Sequence, residues 1–396
     1  MTDFRAGGVV TCKRTSPKSK VPLAGWLRHN LLAAGVSFGQ PAPAMTDSPT
    51  PQPPPHRRRP RYAGKNPRRF EEKYKEHNPA RYADTVEKVL ASGKTPAGAH
   101  RPIMVAEIIA VLAPKPGAIA VDCTLGYGGH TQEILARLQP GGRLLGLDAD
   151  PIELPKTEAR LRALGFGPDV FTVHRSNFAG LPQILAANKI TGADLILADL
   201  GVSSMQIDDP ARGFSVKLAG PLDMRMNPQR GQPASALLQK IHPDALASLL
   251  AANADEPHAD KLAPALAGKV FTTTVELAAA IRATLSRGNR DEIGLSIRRV
   301  FQALRIAVND EFSALDTLLR QLPACLNPGG RVAILTFHSG EDRRVKKSLE
   351  AGVRNGAYSE IGPEVIRPTA EERNSNPRSG PAKLRWARRS LSPPTA

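Results

Sequence analysis

The sequence predicts an α/β fold: a parallel sheet wrapped by helices and interrupted by an inserted helical subdomain. Three observations predict it. Apolar runs of strand length recur at residues 119–123, 143–147, 170–173, 194–198 and 331–337. Helical stretches at 130–138, 152–164 and 180–188 separate the first four. Between Asp199 and about Arg298 this rhythm gives way to Ala/Leu-rich helical sequence, at 234–251 and 259–285. Continuous apolar runs suit strands buried on both faces, and strand–helix–strand alternation implies right-handed crossovers.

The first 100 residues of the 396 precede this pattern. Residues 41–60 hold eight prolines and cannot pack a core. They run into Arg57, Arg58, Arg59 and Arg61, with Tyr62, Phe70, Tyr74 and Tyr82 interleaved among further basic residues. Basic plus aromatic is a workable RNA-contacting mixture, and equally a solvated tail. Residues 1–99 are therefore expected to form a basic, Pro-rich, largely disordered extension. Its start admits three readings: a secretion signal whose apolar stretch is broken by Arg28-His29-Asn30, an organellar transit peptide, or a true start at Met45.

Residues 119–148 form the most informative segment. A strand ends at Asp122, and a glycine turn, Gly126-Tyr127-Gly128-Gly129-His130, opens a helix. A second strand ends at Asp148. Glycine lets backbone approach a ligand closely, and an acid at the second strand's end suits a ribose diol. The segment predicts an adenosine-containing cofactor. The turn departs from a dinucleotide fingerprint at Thr131, where a third glycine or alanine is usual. Both S-adenosyl-L-methionine and NAD remain open on these residues alone.

A fourth strand carries Asp199 to the sheet's carboxyl edge, where it can orient a reacting amine or accept its proton. Ser203 and Ser204 after it suit a helix cap. Arg212, Asp223 and Arg225 lie among Met and Leu in a Gly/Pro-bounded loop, which reads as a polar site or an internal ion pair. A helix near 299–322 follows, with Phe301, Leu304, Val308, Phe312, Leu315, Leu319 and Leu322 on one core-facing stripe. Asn327-Pro328-Gly329-Gly330 reads as a turn into the fifth strand. After that strand, His338 and Asp342 are spaced to meet across one helical turn. No third ligand is near, so no metal is expected there; structure, with phosphate or substrate contact from Arg343 and Arg344, is. A strand-like segment, 382–389, ends the ordered part.

Composition narrows the class. The net charge of +17 sits at the ends: residues 1–100 carry 18 Lys+Arg against 7 Asp+Glu, and 341–396 carry 12 against 7. The middle carries 24 against 23. Basic ends around a near-neutral body favour a polyanion, or serve solubility alone. Three scattered cysteines exclude a disulfide framework and a thiolate zinc site. No apolar run is long enough for a membrane span.

Eight blocks occur in an order that resembles the bacterial ribosomal RNA small subunit methyltransferase H family. They are His100-Arg-Pro-Ile-Met104, Gly126-Tyr-Gly-Gly-His130, Asp199-Leu-Gly-Val-Ser-Ser-Met-Gln206, Arg212-Gly-Phe-Ser215, Pro221-Leu-Asp-Met-Arg-Met226, Phe301-Gln-Ala-Leu-Arg-Ile-Ala-Val-Asn309, Phe337-His-Ser-Gly-Glu-Asp-Arg343 and Asn376-Pro-Arg378. The resemblance spans about residues 100–389 and implies a Rossmann-like class I SAM-dependent methyltransferase sheet. It implies N4-methylation of a cytidine in the decoding region of 16S rRNA, with 16S rRNA or the small ribosomal subunit as partner, in the cytoplasm. Family cofactor contacts correspond to Gly128, Gly129, His130, Asp148, Phe178, Asp199 and Gln206, beside Gly126 from the turn itself. Asp199 is the candidate catalytic group, and Arg212, Asp223, Arg225 and His338 are candidate substrate residues. The expected division is core 100–208, helical insertion 209–298, and core plus basic tail 299–396. Gly340 departs from the family's usual Leu, and Asn253-Ala-Asp-Glu256 lacks its aromatic-Gly pair. An NAD-dependent oxidoreductase and a non-catalytic RNA-binding protein are the competing readings.

Overall fold

The computed structural model describes residues 102–392. The proline-rich extension, its interleaved aromatics and the three readings of the chain start lie outside these residues.

The expected sheet is present. β1 (Ile119–Asp122), β2 (Arg143–Asp148), β3 (Phe171–Arg175), β4 (Ala193–Asp199) and β5 (Leu326–Thr336) are parallel. β7 (Lys383–Arg389) pairs antiparallel with β5, and β6 (Tyr358–Ile361) pairs antiparallel with β7. The order is β3-β2-β1-β4-β5-β7-β6. Strand order therefore reverses between β1 and β4. Open α/β sheets bind ligands in the crevice at such a reversal, outside the carboxyl ends. Register places Asp122 beside Gly146 and Leu197, and Asp199 beside Leu335, so the strand-end acids share one rim.

Helices cover both faces. α1 (Val105–Leu112), α2 (Gly129–Leu138), α3 (Glu153–Ala163) and α4 (Leu181–Ala187) precede or link the first strands. α1 and α2 bury Ile108, Leu112, Ile134, Leu135 and Leu138 against Leu144 and Phe171 on one face. The other face packs Leu145, Ile196 and Ile334 under Leu181 and Leu185.

After β4 comes a short α5 (Ser204–Asp208), then a helical array with its own core. It comprises α6 (Ala234–Lys240), α7 (Pro243–Ala254), α8 (Ala259–Leu266) and α9 (Thr274–Thr284). Pro243 at the first position of α7 stops α6, and a Thr273–Glu276 capping box starts α9. This core joins Leu238, Leu246, Leu250, Leu262, Leu277 and Ile281 to Val300 and Leu304. The last two lie on α10 (Arg290–Asn309), which runs through residue 299 without a break.

Three local expectations need correction. The single helix near 299–322 is two, α10 and α11 (Glu311–Cys325), broken at Asp310 with φ 51°. The apolar stripe therefore serves two cores: Phe301 and Leu304 the helical array, Leu315, Leu319 and Leu322 the sheet. The Asn327–Gly330 turn instead lies within β5, as an irregularity where pairing jumps from Ala193–Leu326 to Leu195–Arg331. β6, a four-residue edge strand whose first residue alone is fully buried, carried no apolar run to reveal it.

Candidate active site

Local chemistry aims the strand-end acids. Thr131 Oγ1 donates to Asp122 Oδ2 at 2.6 Å, and the Thr124 N–H donates to Oδ1 at 3.1 Å. The Gly126 N–H donates to Asp148 Oδ2 at 2.7 Å, while the Asp150 N–H reaches Oδ1 at 2.8 Å. Each Asp148 oxygen keeps a free lone pair, the acceptor set a vicinal diol requires. The Asp199 N–H donates to Thr124 Oγ1, which ties β4 to the glycine turn.

The glycines divide by purpose. Gly126 has φ 49°, and a Cβ there would meet only the Thr124 carbonyl oxygen, at 3.8 Å; this is the open position of the turn. Gly128 (φ 74°) and Gly129 are close-packed against protein instead. A Cβ on Gly128 would press Thr157 and Leu161 of α3 at 3.0 Å, and one on Gly129 would press Pro102 at 2.8 Å. Those two glycines seat the turn between α3 and the segment ahead of α1.

His130 is buried, with Nε2 2.9 Å from the Ile103 carbonyl and Nδ1 3.7 Å from Asp199 Oδ2. The other Asp199 oxygen, Oδ1, is buried and has no hydrogen-bond partner. Burial pushes Asp199 up to about 6, against the pull of His130 and with a push from Asp122 and Glu341. Burial also pushes Asp148 up to about 6, and raises Asp122. Among the described residues no lysine or arginine pairs with any of the three.

Phe178 opens a one-turn 3₁₀ helix after β3, capped by Asn177, and packs half-buried on the sheet core. Gln206 sits in a capping box: its Oε1 accepts the Ser203 N–H at 2.9 Å and its own backbone N–H donates to Ser203 Oγ at 3.2 Å. Its Nε2 donates to Asp150 Oδ2 at 2.7 Å. Both ends of the Gln206 amide are thus engaged by protein.

Asp150 is the residue that sequence reasoning missed. It is buried, caps α3 through Oδ1, and gathers Gln206 and Arg212 on Oδ2. Its signal was available as a second acid two residues beyond Asp148 and just before a helix start. Arg212 is buried, donating Nη1 to Asp150 at 2.8 Å and Nη2 to the Arg225 and Met226 carbonyls. Arg225 binds Asp223 through Nε and Nη2 at 2.8 and 2.7 Å. Against the effect of burial, this fork holds Asp223 below the usual carboxylate range. The structure thus realises the internal ion pair, and Arg212 acts as a staple between the loop and Asp150.

His338 precedes α12 (Ser339–Arg354) on the same rim. It does not meet Asp342, whose oxygens bind Lys383 and Arg385 at 2.7 Å. His338 Nε2 lies 3.0 Å from Glu341 Oε1, and its Nδ1 is buried without a hydrogen-bond partner. Glu341 also accepts the Phe337 N–H. Burial opposes its charge, but His338 and Arg305 hold it below its ordinary value. Arg343 and Arg344 face Asp255 and Asp316 rather than the rim. At Gly340, a Cβ would lie 2.6 Å from Phe312, whose ring fills the space.

The acid-lined crevice discriminates between cofactors. A pyrophosphate needs free N–H donors and no facing anions. Here the Gly126 N–H is taken by Asp148, and three carboxylates converge. A ligand with a positive centre and a ribose diol fits; a dianion does not.

Comparison with known proteins agrees. The MraW methylase family matches residues 97–390. Ribosomal RNA small subunit methyltransferase H 1 of Lachnoclostridium phytofermentans is 48% identical over 353 residues, covering 87% of this chain and 96% of that protein. Ribosomal RNA small subunit methyltransferase H 2 of Alkaliphilus metalliredigens is 50% identical over 339 residues, covering 83% of this chain and 97% of that protein.

Proposed function

The chain belongs to the MraW methylase family, and from that premise we propose that it methylates small-subunit ribosomal RNA from S-adenosyl-L-methionine, at the N4 amine of a cytidine in the decoding region of 16S rRNA. The observation that carries the reading is the acid cluster, which among the described residues has no lysine or arginine partner and holds Asp199 Oδ1 buried without a hydrogen-bond partner. The bound cofactor supplies an electrophilic methyl group on a cationic sulfur.

The chain's own residues do the rest. Asp148 receives the ribose diol on its two free lone pairs. Gly126 leaves the turn open beside it, and Phe178 offers a ring after β3 for an adenine face. His130 steadies Asp199. Gln206 and Arg212 act through Asp150, which holds the start of α3 and so the backbone beyond Asp148. A cytosine N4 lone pair is delocalised into the ring, which makes the amine a weak nucleophile. Asp199, or a nearby backbone carbonyl, accepts an N4 hydrogen and localises that pair. His338 contacts the base from the β5 side. Holding amine and methyl in line contributes up to about 7–11 kcal/mol in favourable cases. The base reaches the rim by leaving its stack. The insertion, 209–298, supplies the RNA-facing wall, and the substrate places the enzyme in the cytoplasm.

The test is methyl transfer from labelled cofactor to small-subunit RNA, followed by nucleoside mass spectrometry. Label in N4-methylcytidine is expected. Nicotinamide binding without transfer overturns the reading.

A further inference from the structure

Beside the acid cluster, a cleft of about 320 Å³ opens between the sheet rim and the loop ahead of α6. Arg175, Ser176 and Asn177 line it from the end of β3, and Asn227 and Arg230 from the loop. Arg175 and Arg230 are exposed, and neither side chain has a hydrogen-bond or ion-pair partner among the described residues. Arg212 and Arg225, from the same loop region, are both committed to carboxylates. Asn177 and Asn227 each use Oδ1 to accept a backbone N–H, from Ala179 and Gln229, which leaves their amide N–H groups as donors. Asp310, at the end of α10, is the one acid lining the cleft. The walls are therefore rich in free donors and carry a positive excess.

S-adenosylmethionine carries no phosphate, and its positive centre and diol are answered by the carboxylates. Its one anionic group, a single carboxylate, does not call for two guanidinium groups from separate parts of the fold. One rim thus carries two halves of opposite sign, a cation-favouring half and an anion-favouring half. The two free guanidinium groups come from different parts of the fold, one from the sheet and one from the insertion loop. An anion between them joins those parts. Guanidinium is the side chain best matched to phosphate oxygens.

We propose that this cleft holds the ribose–phosphate backbone of the RNA substrate, with Arg175 and Arg230 on phosphate oxygens. Asn177 and Asn227 donate to phosphate or 2′-hydroxyl oxygens. The assignment rests on the RNA-methyltransferase reading above, and it adds the track along which the strand approaches the acid-lined half.

The experiment uses the full chain and an in vitro transcript of 16S rRNA. RNA affinity is measured across a salt series, and cofactor affinity by calorimetry, for the wild type, the Arg175→Ala/Arg230→Ala variant and the Arg175→Lys/Arg230→Lys variant. Both arginines are exposed, and an unchanged Tm confirms the fold. Each lost phosphate contact flattens the slope of log K against log salt by about 0.7–0.9. The alanine variant is expected to bind RNA several-fold more weakly, with a slope shallower by about 1.4–1.8 and unchanged cofactor affinity. The lysine variant keeps most of the slope. An alanine variant with the wild-type slope overturns the proposal. So does a loss of cofactor affinity with RNA binding intact, which returns the cleft to the cofactor. The wild-type methyl-transfer arm reports separately on the reaction itself: wild-type transfer with an unchanged slope sinks this cleft alone.

Discussion

Asp199 concentrates the chemistry. Its pKa near 6 arises because burial disfavours the charge and Asp122 and Glu341 repel it, while only His130 assists. Asp199→Asn keeps the shape and removes the charge. It is expected to weaken cofactor binding and to slow methyl transfer by about 10²-fold or more, measured by calorimetry and single-turnover kinetics. Normal values for both remove Asp199 from both roles. Asp148 shares the value of about 6, so acid pH neutralises the cluster. Cofactor affinity is expected to fall as pH drops through about 6. Stability runs the other way. Folded values lie above the unfolded carboxylate value of about 4, so the folded chain holds more protons in between, and its stability declines as pH rises from about 4 to about 6 and then levels. Urea titrations of the ligand-free chain across pH 4–7 check the sign. His338→Gln removes the ring whose Nδ1 has no protein partner; methyl transfer is expected to fall with cofactor affinity unchanged. Asp148 and Asp199 were legible in the sequence because they end apolar runs. Asp150 was legible only as an acid at a helix start; its role in gathering Gln206 and Arg212 was not, because they lie 56 and 62 residues away.

At the scale of elements, the sequence showed strands and helices wherever apolar periodicity was long, and lost them where a backbone detail decided. The break between α10 and α11 turns on Asp310 in the left-handed region, within an unbroken apolar stripe. It is braced by Arg305, whose Nε and Nη2 each lie 2.8 Å from an oxygen of Glu311. Both partners are largely buried. Arg305→Ala leaves Glu311 without its cation, removes part of the positive field at Glu341, and is expected to cost about 3–5 kcal/mol, read by denaturant unfolding. The loop that carries Arg212 depends on Gly213, at φ 73°, where a Cβ would fall 2.1 Å from the Pro221 carbonyl oxygen. Gly213→Ala is expected to disorder this loop and lower Tm, since neither the conformation nor the space admits a side chain. A variant with unchanged Tm contradicts that placement.

The whole molecule pairs a crevice at a strand-order reversal with an insertion that has a separate hydrophobic core. The alternation of strand and helix made the first half of that statement readable, and the loss of alternation after Asp199 made the second. What periodicity did not convey was how charge is distributed on the rim. The free arginines and the bound ones look alike in sequence, and only the partners Asp150 and Asp223 separate Arg212 and Arg225 from Arg175 and Arg230. Ligand linkage gives a whole-molecule check: saturating S-adenosylmethionine is expected to raise Tm while NAD leaves it unchanged. The most direct measurement is nucleoside mass spectrometry of 16S rRNA after incubation with the full chain and methyl-labelled S-adenosylmethionine. The account predicts label in N4-methylcytidine from the decoding region; label confined to another nucleoside, or none under conditions where the cofactor binds, contradicts it.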